Sequence, residues 1–191
     1  MGRDLAHFTD EALLSLVAGS DDQALAELYD RFGGVAYGLA LRILRDESLA
    51  QDAVQDAFLA VWRTADRFLA ERAKASTWIL TLVHRRAVDL VRRQERRRGE
   101  PLESVPEPVA SEQVEEQATI RFQRQVVQEA LRRLPPEQRE ALELGYYAGL
   151  TQSELAERLG QPLGTIKSRM FTGLTRLRDL LAQAGLEESL R

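Results

Sequence analysis

The chain has 191 residues, 44% of them hydrophobic, enough for one or two cored domains, and no cysteine, which excludes disulfides, thiolate zinc sites and thiol switches. No apolar run is long enough to cross a membrane, and Met1-Gly-Arg-Asp-Leu-Ala6 lacks the apolar segment of a signal peptide, so a cytoplasmic protein without membrane insertion is expected. The net charge of −4 hides a segregation: 4 basic against 11 acidic residues over 1–62, 11 against 4 over 63–98, 5 against 10 over 99–143, and 6 against 5 over 144–191. A basic block between two acidic ones suits a phosphate backbone in the middle and a positively charged partner beside it.

From about Thr9 to Arg45 the residues Leu13, Leu14, Val17, Leu25, Leu28, Phe32, Val35 and Leu39 recur at helical intervals. They predict core helices broken at Gly19-Ser-Asp21 and open to a second break at Gly33-Gly34. Asp46 is placed to cap the next helix, Ser48 to about Thr64. Leu49, Ala53, Val54, Ala57, Phe58 and Val61 fall on one side of it, and Ser48, Asp52, Gln55, Asp56, Leu59 and Arg63 on the other. That second stripe is acidic with a leucine inside it, which fits a protein-docking surface as well as an ordinary solvated face.

Residues 66–76 read as a loop, and a long helix is expected from about Thr77 to Arg97. Ile79, Leu82, Val83, Ala87 and Leu90 form its apolar stripe; Thr77, Thr81, Arg85, Val88 and Arg92 form the exposed one, with Arg86 and Arg93 to the sides. Closely spaced arginines suit phosphate, and Trp78 suits either a core position or stacking on an unpaired base. His84, with no second imidazole nearby, fits a surface or DNA-facing role better than a metal site.

The stretch 99–117 holds three prolines and six glutamates and reads as an acidic linker between two domains. Helical periodicity resumes near Thr119 through Ile120, Val126, Val127, Ala130, Leu131 and Leu134; Pro135-Pro136 ends that helix and starts another, Glu137 to about Ala148. Then come Thr151-Gln-Ser-Glu-Leu-Ala-Glu-Arg-Leu-Gly160 and Gln161-Pro-Leu-Gly-Thr-Ile-Lys-Ser-Arg-Met170, two helices joined by a tight turn. Thr151 and Glu154 make a capping-box pattern, Gly160 can take the left-handed conformation, and Pro162 fits the first turn of the second helix. On that helix Leu163, Ile166, Met170, Leu174, Leu177 and Leu181 are expected on a buried stripe, opposite Thr165, Ser168, Thr172 and Arg176, with Lys167 and Arg169 at the edges. Hydroxyls and cations near the N-terminal end of such a helix are what a helix-turn-helix offers the major groove, although an ordinary helical hairpin has the same apolar pattern. Strand-like alternation, catalytic motifs and phosphate loops are missing, so neither an enzyme nor a cofactor is expected.

Four ordered stretches resemble the bacterial group 4, or extracytoplasmic function (ECF), sigma factors of the sigma-70 family. They are Asp22-Gln-Ala-Leu-Ala-Glu-Leu-Tyr-Asp30, Ala50-Gln-Asp-Ala-Val-Gln-Asp-Ala-Phe-Leu-Ala-Val-Trp62, Thr77-Trp-Ile-Leu80 with Ala87-Val-Asp-Leu-Val-Arg-Arg93, and Leu134-Pro-Pro-Glu-Gln-Arg-Glu140 with the helix-turn-helix. The resemblance implies an all-α protein: a region 2 domain over 1–98, an acidic linker over 99–118 and a region 4 domain over 119–191. It implies a promoter-recognition subunit that binds RNA polymerase core, through the β′ clamp helices and the β subunit, together with promoter DNA and an anti-sigma factor. Onto this sequence it carries Asp52, Gln55, Asp56 and Leu59 as core-polymerase contacts. Lys74, Ser76, Trp78, Arg85, Arg92 and Arg93 become −10 contacts, and Thr165, Lys167, Ser168, Arg169 and Arg176 become −35 contacts. The family commonly has an asparagine where this chain has Arg85 and an apolar residue where it has Arg86. An independent helix-turn-helix regulator and a helical adaptor without DNA are the readings from other classes.

Overall fold

The computed structural model describes residues 4–98 and 118–185, which belong to two separate units. All regular structure among them is helical.

The first unit starts with Asp10–Ala18 (α1), Asp22–Leu44 (α2) and Glu47–Thr64 (α3). Each is started by a side chain that accepts from its first turn: Thr9 from the Ala12 amide, Asp21 from Ala24 and Asp46 from Leu49. The links are tight. Ser20 at φ 65° follows α1 and Arg45 at φ 54° closes α2, both in the left-handed region that makes an abrupt reversal possible. A single 3-10 turn at Ala65–Arg67 leads toward Ala75–Arg98 (α4). The helices α2, α3 and α4 each pack on the other two, with α1 laid against α2.

The Gly33-Gly34 pair does not break α2. A Cβ at Gly33 would meet the Tyr29 ring at 3.4 Å, so the glycine leaves a groove in which that ring lies along the helix. Two interior glycines cost about 1 kcal/mol each in helix propensity, which packing on both sides of α2 offsets. The core also differs in register from the sequence expectation. The fully buried positions of α2 are Ala24, Leu28, Ala36 and Ala40, whereas Leu25, Phe32 and Leu39 are half-buried and Val35 is exposed. With Ala50, Ala53 and Ala57 of α3 and Ala75 and Ala87 of α4, these alanines let helix backbones approach closely and push larger side chains to the flanks.

Arg31 fastens the start of the chain to this bundle. Its guanidinium donates to Asp10 Oδ1 at 2.8 Å, Glu27 Oε1 at 2.8 Å and the carbonyls of Leu5, Ala6 and Phe8 at 3.2, 3.0 and 2.9 Å. The hydrogen bond it donates to Asp10 raises its pKa above the usual arginine value; desolvation opposes this, and Glu27 adds to it. A raised value keeps the guanidinium charged throughout the neutral range, so it goes on donating to both carboxylates there. Arg31→Ala is expected to lower the stability of this unit by about 2–3 kcal/mol, read as a fall in denaturation midpoint, with Arg31→Lys recovering less than half because lysine lacks the fork geometry.

The second unit comprises Ala118–Arg132 (α5), Pro136–Tyr147 (α6), Gln152–Arg158 (α7) and Leu163–Gln183 (α8). Its core joins Leu144, Ala148, Leu155 and Ile166, flanked by Leu150, Ala156, Leu159 and Met170. The capping box at α7 is complete: the Thr151 amide donates to Glu154 Oε2 at 2.6 Å and the Glu154 amide to Thr151 Oγ1 at 3.3 Å. Gly160 takes φ 58° at the turn before α8. Pro162 sits just before α8 rather than within its first turn.

The buried stripe of α8 corrects the expected one. It runs through Ile166, Met170, Gly173, Leu177 and Leu181, whereas Leu163 and Leu174 are 39% and 52% exposed. Gly173 takes the place expected for Leu174 because α8 meets α6 there at close range: a Cβ would lie 3.1 Å from Leu142 Cδ1 and 3.3 Å from Gln138 Cβ. Leucine cannot occupy that point without moving α6.

Candidate functional site

In α3 the buried side is Ala50, Ala53, Val54, Ala57, Phe58 and Val61, which turns Asp52, Gln55, Asp56 and Leu59 outward together. Leu59 is 46% exposed between carboxylates. The two aspartates are four residues apart, so their like charges face each other on the helix surface. Tyr29 of α2 packs edge-on against Phe58 with ring centres 4.9 Å apart and remains half-exposed. Periodicity alone does not mark Tyr29; the Gly33 groove that holds it exists only because α2 runs unbroken.

On α4 the buried line is Ala75, Ile79, Val83, Ala87 and Val91, with Leu82 and Leu90 half-buried. The helix begins two residues before the expected start, so Ser76 belongs to its first turn rather than to the loop. Lys74, Arg85 and Arg93 are exposed, and Ser76, Trp78, Arg86 and Arg92 are half-buried. Trp78 is neither core nor free: its ring tilts by 59° against Phe68 at 5.6 Å, which leaves part of its surface open. Thr81 turns its hydroxyl back to the Thr77 carbonyl at 2.7 Å. The Ala75 amide, at the start of the helix, donates across 64 residues to Glu11 Oε1 at 3.1 Å. Nothing in the local sequence pattern points to that contact.

On α8 Lys167, Ser168, Thr172 and Arg176 are exposed and Thr165 and Arg169 half-buried. Thr165, Ser168, Arg169, Thr172 and Arg176 share one side. At about 100° per residue, Lys167 stands apart from them, beside Leu163 and Leu174. Thr172 donates to the Ser168 carbonyl at 2.7 Å and accepts from Gln138 Nε2 at 3.3 Å, while Gln138 Oε1 accepts from Arg176 at 3.5 Å. Gln138 of α6 thereby braces the outer half of this face. Phe171 is 73% exposed. Among the described residues no group of carboxylates and histidines could hold a metal, and no helix is long and apolar enough to cross a membrane.

Both units match known family models. Residues 28–97 match sigma-70 region 2, and residues 130–179 match sigma-70 region 4. The ECF RNA polymerase sigma factor SigK of Mycobacterium tuberculosis is 41% identical over 173 residues, covering 90% of this chain and 92% of its own. The chain belongs to the ECF sigma factors of the sigma-70 family. The ECF RNA polymerase sigma factor SigK of Mycobacterium sp. (strain JLS) is 39% identical over 178 residues, 91% of each chain. Among solved structures, Rhodobacter sphaeroides SigE in complex with the anti-sigma ChrR is 30% identical, covers 90% of this chain and 97% of its own, and superposes with a TM-score of 0.45. As a sigma factor the chain is a transcription initiation factor. The two-unit, all-α architecture expected from the sequence is the one observed. Membership of this family sets aside the independent regulator and the DNA-free adaptor.

Proposed function

We propose that this ECF sigma factor is of the group 4 type and acts in the cytoplasm, with the N-terminal domain (1–98) docking on core polymerase and opening the −10 element. The C-terminal domain (119–191) reads the −35 element; the linker expected over 99–118 lies, apart from Ala118, outside the described residues. Asp52, Gln55, Asp56 and Leu59 meet the basic β′ clamp helices. Lys74, Ser76, Trp78, Arg85, Arg92 and Arg93 hold the −10 strand, and Thr165, Ser168, Arg169 and Arg176 face the −35 bases and phosphates, with Lys167 reaching phosphate from the side. The β subunit is a further contact within the polymerase core. The protein does no chemistry itself; the polymerase does.

The observation that carries this reading is the pairing, within one small bundle, of an outward acidic stripe on α3 with an arginine-lined helix α4 that packs directly against it. One face suits a basic protein and the other an acidic polymer, so the bundle can bridge polymerase and DNA. An anti-sigma factor is a further partner. Its contacts fall on Leu59 in the first unit and on the strip of Leu163, Phe171 and Leu174 in the second, apolar groups exposed beside charges.

A fluorescent base placed in the −10 element tests the reading. It brightens when core and this chain are both present and stays dark with either alone; brightening with the chain alone, or none with both, contradicts it. Within the second unit, Arg176→Ala is expected to weaken −35 duplex binding nearly uniformly across sequences, by about 1 kcal/mol, and to reduce the salt slope by about one. Titration at several salt concentrations reads both.

A further inference from the structure

The residue at the N-cap position of α4 is Lys74, whose ammonium has no acceptor to offer the first turn. It stands where a serine, threonine or aspartate would cap the helix, and the first turn of α4 carries no acidic residue. The missing acceptor comes from elsewhere in the fold: Glu11 of α1, half-buried, takes the Ala75 amide at 3.1 Å. Its negative charge also sits where the helix dipole favours one.

Glu11 is itself held in place. Thr9 caps its helix, Leu13, Leu14 and Val17 are buried, and the neighbouring Asp10 is gripped by Arg31 at 2.8 Å. At the other end of the segment before α4, the Phe68 amide donates to the Ala65 carbonyl at 3.1 Å and the Phe68 ring lies against Trp78. Residues 68–75 are therefore fastened at both ends, one of them by α1. Among the side chains between and just beyond these fastenings are Lys74, Ser76 and Trp78.

We propose that Glu11 is a positioning residue for promoter opening: its carboxylate fixes the first turn of α4 so that Lys74, Ser76 and Trp78 are preorganised to receive an unstacked base. This rests on the −10 assignment above. Pulling a base out of the duplex is costly, and only a pocket already in shape offsets that cost. A frayed first turn has to be ordered at the same moment, which slows opening without altering the α3 surface that meets polymerase.

The test compares Glu11→Ala and Glu11→Gln with the unaltered full chain, each bound to core polymerase. Glu11→Ala is expected to open duplex promoter DNA about tenfold more slowly, in line with the loss of a helix cap, while core affinity stays within about twofold. Read as the rate of first transcript formation, the deficit shrinks to about twofold on a template already unpaired across the −10 element, because the unstacking step has been removed. Glu11→Gln, which keeps an acceptor of the same reach, recovers most of the rate. Opening by Glu11→Ala at the unaltered rate overturns the proposal. So does a loss of core binding or of folded helix equal to the loss of opening, or an undiminished deficit on the unpaired template, since these mark a residue that holds the fold alone. Failure of the unaltered chain to open DNA with core falls instead on the −10 assignment.

Discussion

Replacing Asp52 and Asp56 together with alanine is expected to weaken binding to core polymerase by about ten- to a hundredfold, equivalent to ~1.4–2.8 kcal/mol. Both carboxylates are exposed on the same side of α3 and flank Leu59, the apolar centre of the stripe. Against a basic partner they act over a distance and at contact, so part of the loss lies in the association rate, and the gap between variant and parent narrows as salt rises. The same substitution leaves the bundle folded and no less stable. Neither side chain contributes to the core, and removing two like charges one turn apart relieves repulsion of about 0.2–0.5 kcal/mol. A falling affinity with a steady or rising melting temperature is the signature of a docking residue. Titrating labelled chain with core at two salt concentrations, alongside thermal melts, measures both; an unchanged Kd removes α3 from the interface.

The second large effect is on DNA. Arg85→Ala with Arg92→Ala is expected to reduce promoter opening by about a hundredfold, leaving core binding within a factor of about two. The two residues lie seven apart on α4, two turns along one side, so both can follow a single strand. Arg85 is exposed, whereas Arg92 is half-buried and already engaged within the protein, which makes Arg85 the larger contributor. Lysine at position 85 keeps the charge but loses the planar fork, so Arg85→Lys separates simple phosphate attraction from bidentate or stacked recognition. Equal opening by the double variant and the parent would show that α4 does not hold the strand.

The elements legible from sequence were those set by local chemistry. Asp46 before α3, the Thr151/Glu154 box before α7 and the glycine at 160 all fix a helix end by contacts within four residues, and all stand as read. The outward stripe of α3 was legible because a helix with one apolar side must turn the other to solvent. What could not be read depended on a neighbour. Gly33-Gly34 looks like a break until α2 is packed on both α3 and α4, and Gly173 looks like a weakness until Leu142 and Gln138 of α6 are set against it. The expected stripe on α8 favoured Leu174 on size, while the close approach of α6 required the residue with no side chain. Glu11 is the furthest from local logic, since its partner amide lies on another helix. For the same reason α4 starts two residues before its expected start: no capping residue marks that point in the sequence, because the acceptor is supplied by α1.

The most direct measurement of the central claim is transcript mapping with core polymerase, with and without this chain, on a library of genomic DNA fragments. A sigma factor that binds core through α3, opens DNA with α4 and reads upstream sequence with α8 yields new 5′ ends only when the chain is added, sharing one sequence pattern near −10 and another near −35. The Asp52/Asp56 variant removes those ends. Identical 5′ ends with and without the folded chain would contradict the account.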